Sequence, residues 1–224
     1  TINASTASIG TNISTDNTAP SFDPIADRTV SEDSSAQSIA ITNISPGPDS
    51  EASQTVTFSA TSSNPPIIPN PTFSGSGSIR TLTYTPVANA NGSATITVTA
   101  NDGQSQNSTY SRTFTITVNA VNDTPSFTKG ADQNISEDAG AQTVASWATS
   151  ISRGPSNESS QTLSFIVNNN NNSLFSVQPA VAANGTLTYT PAANANGSAT
   201  VTVSLQDNGG TTNGGNDTSA TQTF

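Results

Sequence analysis

Carboxylates are the side chains in this sequence best able to do chemistry, and they recur in pairs. Glu32-Asp33 returns as Glu137-Asp138, and further acids stand at Asp102, Asp123 and Asp207. Two facing carboxylates can hydrolyse a glycosidic bond. Neighbours in an extended chain point to opposite faces, so these pairs predict no catalytic couple. The chain has no His and no Cys. That removes the commonest general base, the thiol nucleophile and the nitrogen and sulfur ligands of zinc. Asn208-Gly209-Gly210 and Asn213-Gly214-Gly215 lack the Lys and the helix of a phosphate loop; they predict a mobile hairpin. The sequence therefore predicts that the protein is not an enzyme.

Charge narrows the partners. Five basic residues against 15 acidic ones leave a net charge of −10, which argues against nucleic acid, since phosphate binding needs clustered Lys and Arg. No apolar run reaches bilayer length, so no membrane insertion is expected. Thr, Ser and Asn number 36, 35 and 25, whereas Leu, Ile, Val and Phe together number only 40. Composition alone would permit disorder. The pattern of the residues argues otherwise.

The sequence repeats itself. Pro20-Ser21-Phe22 returns as Pro125-Ser126-Phe127, and Ser31-Glu32-Asp33 as Ser136-Glu137-Asp138. Thr81 to Pro86 returns unchanged as Thr186 to Pro191, and Ala88 to Thr95 as Ala193 to Thr200. The offset is 105 for these pairs, and 107 for Gly47-Pro48 against Gly154-Pro155. Within each copy apolar residues alternate with threonine, as in Thr95-Ile96-Thr97-Val98-Thr99-Ala100 and Thr113-Phe114-Thr115-Ile116-Thr117-Val118. Period two with β-branched residues predicts half-buried antiparallel strands. Pro and Gly clusters break them at regular intervals, giving about seven strands per copy and no helical period. The expected fold class is all-β: two tandem Ig-like or cadherin-like antiparallel β-sandwich domains. The expected boundaries are 1–17 for a strand and linker completing a neighbouring domain, 18–122 for repeat 1 and 123–224 for repeat 2.

Repeat 2 lacks a last strand in this chain. Gln222-Thr223-Phe224 parallels Arg112-Thr113-Phe114, and only repeat 1 continues into Thr115-Ile116-Thr117-Val118. The opening Thr1-Ile2-Asn3-Ala4 reads as the end of such a strand, and a start without Met suggests a processed or excised segment. Two arrangements fit: a covalent array continuing past Phe224, or subunits that exchange this strand by strand addition. Either makes neighbouring copies of the repeat the expected partners.

Ile96-Thr97-Val98-Thr99-Ala100-Asn101-Asp102-Gly103, followed by Phe114 to Phe127 with its Asn122-Asp123-Thr124-Pro125 turn, resembles the end of a cadherin repeat running into its linker. The likeness extends over about residues 18–224 and is nearest to cadherin-like tandem repeats of large bacterial surface proteins and adhesins. It implies calcium between domains, with Glu32, Asp102, Asn122 and Asp123 as junction ligands and Glu137 and Asp207 as their equivalents in copy two. The sequence departs from the family where the mid-domain acidic motif is Asp49-Ser50-Glu51 in copy one and Ser156-Asn157-Glu158 in copy two. Asn89-Ala90-Asn91 replaces a second acidic motif. The other reading of these residues is that Asn and Asp serve turns and keep edges soluble.

The remaining signals are local. Asn-x-Ser/Thr triplets at Asn3, Asn12, Asn43, Asn91, Asn107 and Asn134 are acceptors for glycan modification on an extracellular surface. Trp147, Tyr84 and Tyr189 are expected in the core, and Asn168 to Asn172 in a low-complexity loop. Together these features predict a structural repeat segment of an extracellular bacterial surface fibre or adhesin stalk. The alternative is an adhesive module that recognises a glycan or protein through loops at one sandwich end, with Tyr110 as its exposed aromatic.

Overall fold

A computed structural model describes residues 16–224. The opening strand expected at Thr1–Ala4 lies outside the described residues, as do Asn3 and Asn12. The chain forms two compact units. The first comprises residues up to 29, 34–87 and 93–117; the second comprises 30–33, 88–92 and 118–224. Both are antiparallel and nearly all β. Among the described residues no helix is long and apolar enough to cross a membrane, a statement that does not extend to β-barrels.

Seven strands precede the second copy: β1 (Arg28–Ser31), β2 (Gln37–Ile41), β3 (Thr57–Ser62), β4 (Thr72–Ser74), β5 (Arg80–Tyr84), β6 (Gly92–Asn101) and β7 (Thr109–Asn119). They make one sheet in the order β1-β7-β6-β3 and another in the order β2-β5-β4. The alternation dictates the faces. Ile96, Val98 and Ala100 of β6 are buried, while the threonines between them face outward or stay half-buried. Register aligns like with like, with Phe58 opposite Ala100 and Ile39 opposite Leu82. Phe22, Phe58 and Phe73 form a ring ladder, with centroids 5.5 and 5.4 Å apart. The Pro65 to Pro71 loop is not merely surface, because Ile68 within it is fully buried.

The second copy adds β8 (Ser126–Thr128), β9 (Gln142–Val144), β10 (Thr149–Ser152), β11 (Leu163–Asn169), β12 (Phe175–Val181), β13 (Leu187–Pro191), β14 (Val201–Asp207) and β15 (Gln222–Thr223). Its sheets are β11-β14-β15, β12-β13-β9 and the pair β10-β8. Phe165 lies opposite Leu205, and Val167 opposite Val203. Trp147 and Tyr189 are buried with Leu187, Val203 and Leu205, so the aromatics expected in the core are there. Trp147 satisfies its indole N–H by donating to Ala131 O at 3.0 Å. The low-complexity loop starts later than the sequence suggested. Asn168 and Asn169 belong to β11, because their backbone pairs with Thr202 and Val201. Pairing on an edge overrides the weak strand propensity of asparagine.

Leu187 is fully buried, whereas Ile166 is 40% exposed. Leu187→Ala is expected to destabilise the second unit by about 3 kcal/mol through lost burial and a cavity, and Ile166→Ala by under about 1 kcal/mol. Urea unfolding followed by Trp147 fluorescence measures both.

Candidate functional site

Four acids of the second unit, Glu32, Asp123, Glu158 and Asp207, bond to or lie within the segment around Asn122. Asn122 follows the last residues of the first copy and precedes the Asp123-Thr124-Pro125 turn. Its Nδ2 donates to Asp207 Oδ1 at 2.9 Å and to Asn216 O at 3.0 Å. Its Oδ1 accepts from Gln161 Nε2 at 2.6 Å. Asp207 ends β14, and its Oδ1 also accepts from Gly209 N–H at 2.9 Å. Glu158, in a single 3₁₀ turn of residues 156–158, accepts from Asp123 N–H at 2.7 Å. Glu32 is 2% exposed and accepts from Val121 N–H at 2.8 Å. Asn157 Nδ2 reaches Glu32 Oε2 at 3.3 Å.

Glycine makes room for this cluster at two points. A Cβ at Gly209 would collide with Asn122 Oδ1, and one at Gly154, whose φ is +125°, with Glu158 Oε2. Asn208-Gly209-Gly210 is therefore a docked loop and not the mobile hairpin expected; Asn208 Oδ1 also accepts from Thr162 N–H at 2.8 Å.

The first unit repeats the arrangement one period earlier. Asn17 Nδ2 donates to Asp102 Oδ2 at 2.9 Å and to Gln106 O at 3.0 Å, and Gln54 Nε2 donates to Asn17 Oδ1 at 2.9 Å. Glu51 Oε1 accepts from Thr18 N–H at 2.9 Å. Of the six residues expected at the junction, Glu32, Asn122, Asp123 and Asp207 thus belong to the second unit's cluster. Asp102 serves the equivalent network of the first unit. Glu137 is exposed, on the rim of a separate cleft. The expectation did not include Asn17, Gln54 or Gln161. The repeat offset was their signal, since Asn17 aligns with Asn122 and Gln54 with Gln161.

The carboxylates lack countercharge. Burial pushes the Glu32, Asp123 and Glu158 carboxyls up from their ordinary values. Asp33 and Asp123 add to the shift at Glu32, Asp33 at Asp123, and Asp123 and Asp207 at Glu158. Backbone N–H donors partly offset it at Glu32 and Glu158. Asp123 Oδ2, Glu158 Oε2, Asp207 Oδ2 and Gln161 Oε1 are buried without a hydrogen-bond partner. Buried acceptors without donors are costly. An all-oxygen set of this kind fits a hard cation such as calcium in its chemistry. Among the described residues no three Asp, Glu, His or Cys side chains already converge as a metal cage. Asn122 holds Asp207 through its Nδ2, and its Oδ1 accepts one hydrogen bond, from Gln161.

The other candidates have structural partners. Asp33 Oδ1 accepts from Asn89 N–H, and Asp138 Oδ1 from Asn194 N–H, both at 2.9 Å, so each tethers the Ala-Asn-Ala-Asn turn of its copy. Tyr110 is not in a loop. It lies in β7, half-buried, edge-to-face with Phe22 at 5.6 Å between centroids and with Arg112 over its ring at 5.2 Å. The sequon residues Asn43, Asn91, Asn107 and Asn134 are exposed.

Comparison with known proteins finds one family match and several similar solved structures. Residues 16–119 match the model of a family described as a bacterial Ig domain. No curated protein matches the chain. Among solved structures, Drosophila N-cadherin EC1-4 is similar at 19% identity and a TM-score of 0.49, over 86% of this chain and 46% of that one. Mouse cadherin-23 EC22-24 is similar at 15% identity and a TM-score of 0.48, over 93% and 65%. A Bacteroides ovatus glucan-utilisation protein, SGBP-B, solved with a mixed-linkage heptasaccharide, is similar at 15% identity and a TM-score of 0.32, over 91% and 47%. The chain therefore spans about half to two thirds of these three structures. The family match covers the first copy alone.

Two outcomes test the cluster. Asn122→Ala strands the Asp207 carboxylate and is expected to cost about 2 kcal/mol, against under about 0.5 kcal/mol for the exposed Asn91→Ala; urea titration reads the difference. The second concerns pH. Glu32, Asp123 and Glu158 bind protons more tightly folded than unfolded. Their contribution is full below the unfolded values, which lie near 4.5 for Glu and 3.8 for Asp, and is lost as pH rises through the raised folded values. In calcium-free buffer, acidification from neutral pH into the ordinary carboxylate range should raise the Tm, and Glu158→Gln should weaken that rise.

Proposed function

We propose that this chain is a spacer segment of an extracellular bacterial surface fibre or adhesin stalk, built from repeats joined end to end. The observation that carries this reading is the duplication of a complete device. Each unit has its own apolar core and its own Asn-Asp-Gln-Glu network. A repeat that carries its own core and its own network can be added to an array with nearly additive stability. The match of residues 16–119 to a bacterial Ig domain supports a place on a bacterial cell surface. Threonine-covered faces and a net charge of −10 keep such a surface hydrated and discourage lateral clumping.

Calcium belongs to this reading. Asp123, Glu158 and Asp207, with Glu32 beside them, would hold it through the oxygens that lack donors. The ion supplies the positive charge that the cluster is missing and stiffens the segment around Asn122 and Asp123. Asn122 and Gln161 keep Asp207 oriented whether or not the ion is bound.

Arrays of two, four and eight repeats should show a maximum dimension that grows in proportion to repeat number in small-angle scattering. Growth with the cube root of mass would contradict a spacer. Millimolar calcium should raise the Tm above that in chelator, because a ligand that prefers the native state stabilises it. It should also flatten the acid-side rise in Tm, since the ion competes with the protons. An unchanged Tm removes calcium from the account and leaves the spacer standing.

A further inference from the structure

The two copies meet one local need in two ways. In each unit the carbonyl of the Pro-Ser-Phe phenylalanine takes a hydrogen bond from a side chain. In the second unit Gln222 gives it, donating from Nε2 to Phe127 O at 2.8 Å. The other end of that side chain is also used, since Gln222 Oε1 accepts from Lys129 N–H at 3.2 Å. In the first unit the counterpart is Arg112, aligned with Gln222 by the Thr-Phe that follows each. Its Nε–H donates to Phe22 O at 3.0 Å. Glutamine shows that one donor is all the fold requires at this point. The rest of the guanidinium exceeds that requirement.

This surplus is held in place. Arg112 Cζ lies 5.2 Å from the centroid of the Tyr110 ring, a cation over an aromatic face. Among the described residues of the first unit, its two terminal nitrogens have no hydrogen-bond acceptor and no carboxylate pairs with it. The acids nearby in sequence are engaged elsewhere. Asp23 Oδ2 accepts from Thr42 Oγ1 and Asn43 Nδ2, both at 2.7 Å, and Asp27 Oδ1 accepts from Thr115 N–H at 2.7 Å. Beside the fork lies an open groove of about 340 Å³, lined by Pro24, Ile25, Tyr110, Ser111, Arg112 and Thr113. The second copy has Lys129, Gly130 and Ala220 where the first has Pro24, Ile25 and Tyr110. The apolar wall and the aromatic shelf therefore occur in the same copy as the arginine.

We propose that this groove binds a carboxylated sugar, a uronic acid unit of a glycan, and that Arg112 takes its carboxylate. The planar fork offers parallel N–H donors that match a carboxylate in geometry. Its Nε bond and its place over Tyr110 fix the guanidinium beforehand, so little side-chain freedom is lost on binding. A phosphate monoester fits less well, because it brings nearly two charges to a single cation in a chain of net charge −10. Pro24, Ile25 and Tyr110 supply apolar surface for the C–H face of a sugar ring, and the volume suits one small unit. A bound peptide strand would be read through a row of backbone groups, whereas the donor here is a side chain. One charge pair and one ring face make a weak site, with a Kd of millimolar order. Linked segments strengthen such a site by multivalency. The inference goes beyond the spacer reading and does not rest on it.

The test titrates the full 224-residue chain, isotope-labelled, with methyl glucuronide and follows the Arg112 Nε–H and the Ser111 and Thr113 amides by NMR. These signals should shift along a saturable curve. Methyl glucoside, the same ring without the carboxylate, should bind at least about tenfold more weakly. Arg112→Gln adopts the second unit's solution, so it should keep its circular dichroism and Tm and lose binding to a similar degree. Pro24→Glu retains Arg112 and sets a carboxylate beside it as an internal competitor. It should also lose binding, and it carries the test if Arg112→Gln does not fold. Acetate, a hexose phosphate and a capped Ala-Glu-Ala peptide separate the sugar from other anions, and each should bind more weakly than methyl glucuronide. The proposal is overturned by the absence of a saturable shift up to about 50 mM methyl glucuronide, or by equal or tighter binding of the glucoside, acetate, the phosphate or the peptide. Undiminished binding by either folded variant overturns it too. The length of repeat arrays in scattering is a separate readout, so failure here leaves the spacer reading standing.

Discussion

A strand of alternating threonine and aliphatic residues holds its place only where its backbone is paired and its apolar face is covered. This constraint governs the whole molecule. The sequence buries few large side chains, so no strand can rely on bulk alone. Its backbone must be paired and its one apolar face covered. Where both conditions hold, as along β6, ten residues stay in register. Where one neighbour is absent, as at Gly197–Thr200, the same residues leave the sheet. The edge of an Ig-like sandwich is therefore both the limit of its stability and the point at which it can be extended.

The polar clusters obey the same logic at smaller scale. Burying carboxylates without cations is expensive, and the protein offsets part of that cost with amides. Asn122 places its N–H groups between Asp207 and Asn216 O while Gln161 serves its oxygen. Glycines at 154 and 209 let these groups approach, since any Cβ there would displace them. Asp123, Glu158 and Asp207 each keep a buried oxygen without a partner, and burial pushes the Glu32, Asp123 and Glu158 carboxyls up. A proton on one of these carboxylates relieves part of that cost.

Much of this was legible in the residues. The unchanged Thr81–Pro86 and Ala88–Thr95 segments revealed two copies, and period two gave the strand faces, because both are properties of consecutive residues. Less legible was anything that depends on which loops meet. Asn208-Gly209-Gly210 looked mobile because glycine signals freedom, yet here it signals close approach to Asn122. Tyr110 looked like an exposed anchor because polar residues flank it, but β7 lays it against Phe22. Glu137 looked equivalent to Glu32, and in sequence it is. Burial separates them, since Glu32 has the backbone groups of Asn119 and Val121 beside it and Glu137 does not.

Amide hydrogen exchange on the isolated chain tests the governing constraint most directly, by comparing Gly92–Thr95 with the identical Gly197–Thr200. The account predicts strong protection for the first tetrapeptide and fast exchange for the second in dilute monomer. Equal protection of both tetrapeptides in the monomer would contradict it, for the second strand would then need no neighbour.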